Sequence, residues 1–313
     1  MILKISPDAI LIDGLSLYES VLLYFGILVL LLLIVSIVIL VAKGRKVPRS
    51  FIAFFAGAVI MIAFPGIQEI SYKNLTIILR EKNRELLTGS DQKENKQELE
   101  KIVNRLENKN IRSSDNLTEM AMAKTLLGNY EEGISYAGKA LKQDRTNQKA
   151  DEVIKLARGS AAIEGLIDNP ESEEAQENVR VNIDRLKDVS FKGNYVDMKI
   201  AEAYLLTGNT VEAKRNAQKI LDRKPSDSTA MEILNYASNS ERLKEAIENG
   251  NVQQSKNIAE SISAKSASDG KSQNFGKAVI QVAVKTAKQR PGYFIHTDSV
   301  LPQLHIDQPI LTQ

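Results

Sequence analysis

Residues Val21 to Ala42 form an unbroken run of 22 residues without a charge, and its only polar side chains are Tyr24 and Ser36. Nothing else in the chain restricts its fold as strongly. As a helix the run is about 33 Å long, enough for a bilayer core of about 30 Å, so a transmembrane span is expected. A cleaved signal peptide is the competing reading. Against it, the twenty residues before the run carry net negative charge and Val41-Ala42-Lys43 lacks a small-x-small cleavage pattern.

Phe51 to Ile67 is a second apolar run of 17 residues, with Pro65-Gly66 near its far end. At about 25 Å it is short for a span, and an interfacial or buried helix is the alternative. Ala53 and Gly57, small residues four apart, would let it pack closely on the first run as a hairpin. Lys43, Arg45, Lys46 and Arg49 place four positive charges and no acid between the runs. Short basic loops stay on the cytoplasmic side, so both termini are expected outside the cytoplasm. In a bacterial inner membrane this puts residues 68–313 in the periplasm or at the outer face. Neither run carries an ionisable side chain, which argues against an ion path through the anchor.

Residues 67–313 hold 36 bases and 36 acids. A neutral part without a basic stripe argues against a nucleic-acid partner, whose binding rests on phosphate neutralisation. The chain has no cysteine, which excludes disulfides, thiolate metal sites and cysteine nucleophiles. His296 and His305, with Asp298 and Asp307, have no recognised metal-ligand spacing. No glycine-rich phosphate loop, paired-histidine helix motif or Gly-x-Ser-x-Gly elbow occurs. Glu171, Glu173 and Glu174 read as a solvated first helical turn. The expectation is a protein without cofactor, metal site or catalytic residues.

From Glu69 onward apolar residues recur at helical spacing, as in Leu75, Ile78 and Leu79, and in Leu99, Ile102, Val103 and Leu106. Asp91 with Glu94 reads as a capping box, and Asn169-Pro170 as an N-cap followed by a first-turn proline. Gly128-Asn129, Gly193-Asn194, Gly208-Asn209 and Gly250-Asn251 each stand between helical stretches. Glycine in the left-handed conformation ends one helix and asparagine caps the next, which makes a tight turn between antiparallel helices.

The residues around two of these turns carry more information. Leu127-Gly128-Asn129-Tyr130-Glu131-Glu132-Gly133, continuing to Ala140-Leu141, resembles the second half of a tetratricopeptide repeat. Ile200, Ala201, Tyr204, Gly208, Ala213, Ala217, Leu221 and Pro225 are similar to the small, large and proline positions of that family. Gly133, Arg145 and Lys124 depart from it, standing for an alanine, a proline and an aromatic. Turn spacing is irregular as well: Gly208 follows Gly128 by 80 residues and Gly250 follows Gly208 by 42, neither a multiple of the family's period of about 34. Repeats are therefore expected at 112–147 and 194–228, with less regular helical hairpins at 149–190 and 229–266. A generic helical bundle is the alternative.

The expected fold is all-α, a two-helix transmembrane hairpin followed by a tetratricopeptide-like solenoid. Its parts are an extracytoplasmic segment 1–20, the hairpin 21–67 with its cytoplasmic loop 43–49, a helical connector 68–111, the repeat domain 112–290 and an extended tail 291–313. The resemblance implies a concave groove for a partner's helix or extended peptide. It also implies groove positions at Thr118, Met122, Thr125, Met198, Glu202 and Leu205. The function expected is an adaptor or assembly factor of the cell envelope that binds protein partners. A constitutive structural subunit of a large membrane complex is the second reading, and an envelope hydrolase the third.

Overall fold

The computed structural model describes residues 11–89, 92–191, 193–265 and 270–288; Asp91 and the tail 291–313 with its two histidines lie outside them. Among the described residues there are twelve helices and no strand. Helix α1 (Leu17–Ala42) begins four residues before the apolar run because Ser16 and Glu19 form a capping box. The Ser16 Oγ accepts from Glu19 N–H at 3.2 Å and the Glu19 carboxylate accepts from Ser16 N–H at 2.8 Å.

Helix α2 runs without interruption from Ser50 to Thr88, through Pro65, for 39 residues or about 58 Å. No helix end falls at residue 67, and the connector 68–111 begins as the continuation of the second apolar helix. Proline removes one backbone hydrogen bond at an interior position. The helix persists because Tyr72, Leu75, Leu79 and Leu86 bury one face against the following helices. It ends at Gly89, whose φ of 88° and N–H bonds to the Glu85 and Leu86 carbonyls form a left-handed cap.

The hairpin packs through Gly26, not through Ala53 and Gly57. A Cβ at Gly26 would lie 2.9 Å from Met61 Cβ and 3.3 Å from the Ala58 carbonyl oxygen, whereas one at Gly57 would meet nothing within 4 Å. Ala53 is exposed. The face that α2 turns to α1 is set by the loop and by the buried face downstream, and it leaves the small pair pointing away.

The remaining helices stack as antiparallel pairs. The C-terminal half of α2 pairs with α3 (Gln92–Glu107), α4 (Ser114–Leu126) with α5 (Tyr130–Gln143), and α6 (Gln148–Asp168) with α7 (Glu173–Lys187). Then α8 (Asn194–Leu206) pairs with α9 (Thr210–Arg223), α10 (Ser228–Glu248) with α11 (Val252–Lys265), and α12 (Gly270–Lys288) closes the row. The first members α2, α4, α6, α8, α10 and α12 form an inner row in which each touches the next. The row curls enough for α2 and α12 both to reach α8. Asn169 ends α6 and Ser172, not Asn169, caps α7.

The spacing of 80 residues, irregular against a single-hairpin repeat, is itself the period. Helices α4, α5 and α6, of 13, 14 and 21 residues, recur 80 positions on as α8, α9 and α10 with the same lengths. Ala121, Gly128, Asn129, Ala137 and Ala157 match Ala201, Gly208, Asn209, Ala217 and Ala237. Each unit holds a short hairpin and a long one, so a template of one constant hairpin misaligns at α6 and α10. Two departures from the tetratricopeptide pattern have local causes. A Cβ at Gly133 would lie 2.5 Å from Thr125 Oγ1. Lys124, at an aromatic position, is buried as an ion pair with Glu107 of α3 and Glu132 of α5.

Gly128, Gly208 and Gly250 have φ of 90°, 82° and 66°. Gly193 has φ −176°, ordinary extended backbone, and is the N-cap of α8. Replacing Gly208 by valine is expected to destabilise the chain by about 1–2 kcal/mol, because a β-branched residue resists the left-handed region. Gly138, inside α5 with open space around it, is expected to gain about 0.5–1 kcal/mol on replacement by alanine. Thermal unfolding of both variants checks the pair; shifts of equal sign and size would remove the turn argument.

The chain before α1 folds back on the helical stack. Gly14 N–H donates to the Asn110 carbonyl at 2.9 Å, and Leu15 is fully buried. The Asp13 carboxylate accepts from the Arg112 and Ser113 amides at 2.5 and 3.2 Å. It also accepts from the Tyr72 hydroxyl and from Asn116 Nδ2, each at 2.9 Å.

Candidate functional site

A crevice of about 410 Å³ on the inner row lies between α6, α8, α10 and α12. Its apolar surface comes from Ile167, Ile233, Tyr236 and Phe275, the last two in edge-to-face contact at 5.5 Å between ring centres. Four carboxylates line it, Glu164 and Asp168 on the last turn of α6, Glu202 on α8 and Glu232 on α10. Among the described side chains Lys199 is the cation that faces them, held by Glu202 at 2.7 Å.

Burial works against the charge on Lys199, but Glu202 together with Tyr195 and Tyr130 outweighs it and holds the ammonium pKa above its ordinary value. The Lys199–Glu202 pair is therefore neutral as a unit. The Tyr130 hydroxyl donates to Glu164 at 3.0 Å and the Tyr236 hydroxyl to Glu232 at 3.1 Å, which orients both acids. Burial pushes the Tyr130 phenol pKa up, so it stays a donor.

The protein contains its own point of comparison 80 residues earlier. Glu152, the counterpart of Glu232, accepts from Ser190 N–H and Ser190 Oγ at 3.0 and 2.7 Å and ties down the loop before α8. Glu119, the counterpart of Lys199, is met by Lys149 at 2.6 Å and Arg80 at 3.4 Å. There the acids of the inner row are matched by the chain's own cations and amides. In the crevice, Thr229 stands where Lys149 stands in the earlier unit. An acidic, half-open space with an apolar floor suits a cation carried on an apolar stem.

Of the groove positions inferred from the tetratricopeptide resemblance, Glu202 alone lines the crevice. Met122, Thr125 and Leu205 are fully buried, and Thr118 and Met198 nearly so. They do not form an open strip, because each inner helix is flanked by two others and α8 is also covered by α2 and α12. Glu164, Asp168 and Glu232 were not legible as site residues; they sit on the two long helices, and no linear spacing relates them. Among the described residues no three His, Asp or Glu side chains converge as a metal site requires.

Fold and site together define an all-helical protein of stacked hairpins joined to two helices long and apolar enough to cross a membrane. No protein-family model matches the chain, and no curated protein or solved structure is significantly similar to it.

Proposed function

We propose that this chain is a membrane-anchored adaptor or assembly factor of the bacterial cell envelope. Its hairpin holds a tetratricopeptide-like stack outside the cytoplasmic membrane, where the inner row receives a protein partner. The observation that carries the reading is the inner crevice, with four carboxylates around an apolar floor. Reversing two of its charges, Asp168→Lys with Glu232→Lys, is expected to cut recovery of co-purifying chains from native membranes at least tenfold. Helix content should stay unchanged. A reversal on an outer helix, Arg180→Glu, should leave recovery intact; equal recovery for both variants would rule the crevice out as the working surface.

The Asp13 cluster supports two crossings over one. Residues 13–15 and the loop 110–113 are hydrogen-bonded to each other, so they lie on the same side of any membrane that α1 spans. A single crossing would separate them, whereas a hairpin returns the chain to the starting side. The basic loop then faces the cytoplasm. Because the chain has no cysteine, Val47→Cys and Lys142→Cys give unambiguous single labels. A membrane-impermeant maleimide added to intact spheroplasts is expected to modify position 142 and spare position 47 until the membrane is broken. Labelling of both at the same rate would reject the two-pass arrangement.

A further inference from the structure

Helix α2 has an apolar face that nothing among the described residues covers. Ala53, Ala56, Ile60, Ala63, Ile67, Ile70, Asn74 and Ile77 follow the alternating three-and-four spacing of a heptad seam, and all eight are exposed. The four isoleucines are each between 62% and 67% exposed. The seam lies opposite the face that buries Tyr72, Leu75 and Leu79 and runs for about 36 Å.

Lipid accounts for exposure of its lower half but not of its upper half. Ile70 and Ile77 stand beyond Glu69, on the part of α2 that belongs to the stack. Their counterparts 80 residues on, Ala150 and Ala157, and again Ala230 and Ala237, are fully buried where the preceding hairpin packs on α6 and on α10. Among the described residues no hairpin packs on this face of α2. A terminal repeat exposed to water normally carries polar residues on that face, and here it carries isoleucines.

We propose that a second copy of this chain covers the seam, so that two α2 helices form a parallel, in-register pair from the membrane up to Ile77. The inference rests on the membrane insertion proposed above. Two copies inserted alike in one bilayer are related by an axis along the membrane normal, which makes identical helices parallel and sets every seam position against itself. Ala53, Ala56 and Ala63 permit close approach within the bilayer. Ile67, Ile70 and Ile77 pack outside it. Asn74 occupies an a position, where an asparagine meeting its own copy specifies two strands and one register. The flanks raise no like-charge conflict. Lys73 and Arg80 occupy g positions and are held by Glu69 at 2.7 Å and by Glu119 at 3.4 Å within the chain. Across the seam Lys73 faces Ile78 of the second copy, and Arg80 faces Glu85 of the second copy, an opposite charge. The seam stops where Glu81 would meet itself.

Single cysteines in the full chain test the pairing in native membranes. Mild oxidation of Ile70→Cys and Ile77→Cys is expected to give a covalent species of twice the chain mass, at least fivefold more than Gln68→Cys, which lies on the stack-facing side of α2 beside Lys109. In detergent, Ile70→Glu with Ile77→Glu is expected to halve the protein mass measured by light scattering. Equal cross-linking at all three positions, an adduct to a different chain in place of the dimer, or a wild type that already has the mass of one copy would each overturn the proposal. The maleimide pattern at position 47 is read in the same membranes. With position 47 protected and no dimer formed, the pairing fails while the anchor stands; with position 47 labelled from outside, the anchor itself fails.

Discussion

Replacing Asp13 by alanine is expected to destabilise the full chain by about 2–4 kcal/mol, because hydrogen bonds to a charged group contribute about 1.5–3 kcal/mol and four donors lose their acceptor at once. Two of those donors are the Arg112 and Ser113 amides in the turn before α4, and the other two are the Tyr72 hydroxyl and Asn116 Nδ2. Burial first, and the nearby Asp13 charge second, hold the Tyr72 phenol above its usual pKa, so it stays protonated and aimed at the carboxylate. Asp13→Asn keeps one carbonyl acceptor and should lose roughly half as much. Urea unfolding in detergent measures the free energies, and hydrogen exchange at the Arg112 and Ser113 amides should quicken in the alanine variant. A change under about 0.5 kcal/mol would mean that the segment before α1 is not docked, and the same-side argument for two crossings would fall with it.

The second large effect is expected at Gly193. Its φ is −176°, available to any residue, so conformational freedom is not the reason for glycine here. Space is. A Cβ at this position would lie 2.2 Å from the Leu87 carbonyl oxygen and 2.9 Å from its carbon, so a side chain of any size meets main chain. The α8 N-terminus is seated against the last turn of α2, and Lys224 Nζ holds the neighbouring Gly89 carbonyl at 2.8 Å. Alanine should therefore already cost about 2–3 kcal/mol, and valine little more, because overpacking against backbone forces α2 and α8 apart. At Gly208 the order is different, since alanine there should be much milder than valine. Melting curves of the four variants distinguish the two causes, and a Gly193→Ala protein as stable as the wild type would show that α8 does not press on α2.

The two apolar helices were legible because a bilayer-length run without charge has few other uses, and the helix-hairpin pattern was legible because Gly128, Gly208 and Gly250 mark turns that only a left-handed residue makes easily. These are local properties, fixed within a few residues of one another. The 80-residue unit was present in the sequence as matching alanines and a repeated Gly-Asn, but it was obscured by comparison with a shorter period. Which face of each helix is covered was not legible. Gly26 rather than Ala53 and Gly57 packs the hairpin, Met122 and Leu205 are core rather than groove, and Ile70 and Ile77 are exposed although their counterparts are buried.

Sequence alone thus determined that the chain is helical, where its helices turn, and that two of them suit a membrane, since periodicity, charge and glycine placement act over single turns. Tertiary structure alone decided that the inner row curls until α2 and α12 reach α8, that Asp13 closes onto the loop before α4, and that Glu164, Asp168, Glu202 and Glu232 face one space. Those outcomes depend on small rotations accumulated over successive hairpins, set by close contacts such as Gly193 against Leu87, and such sums have no signature in any short stretch of residues.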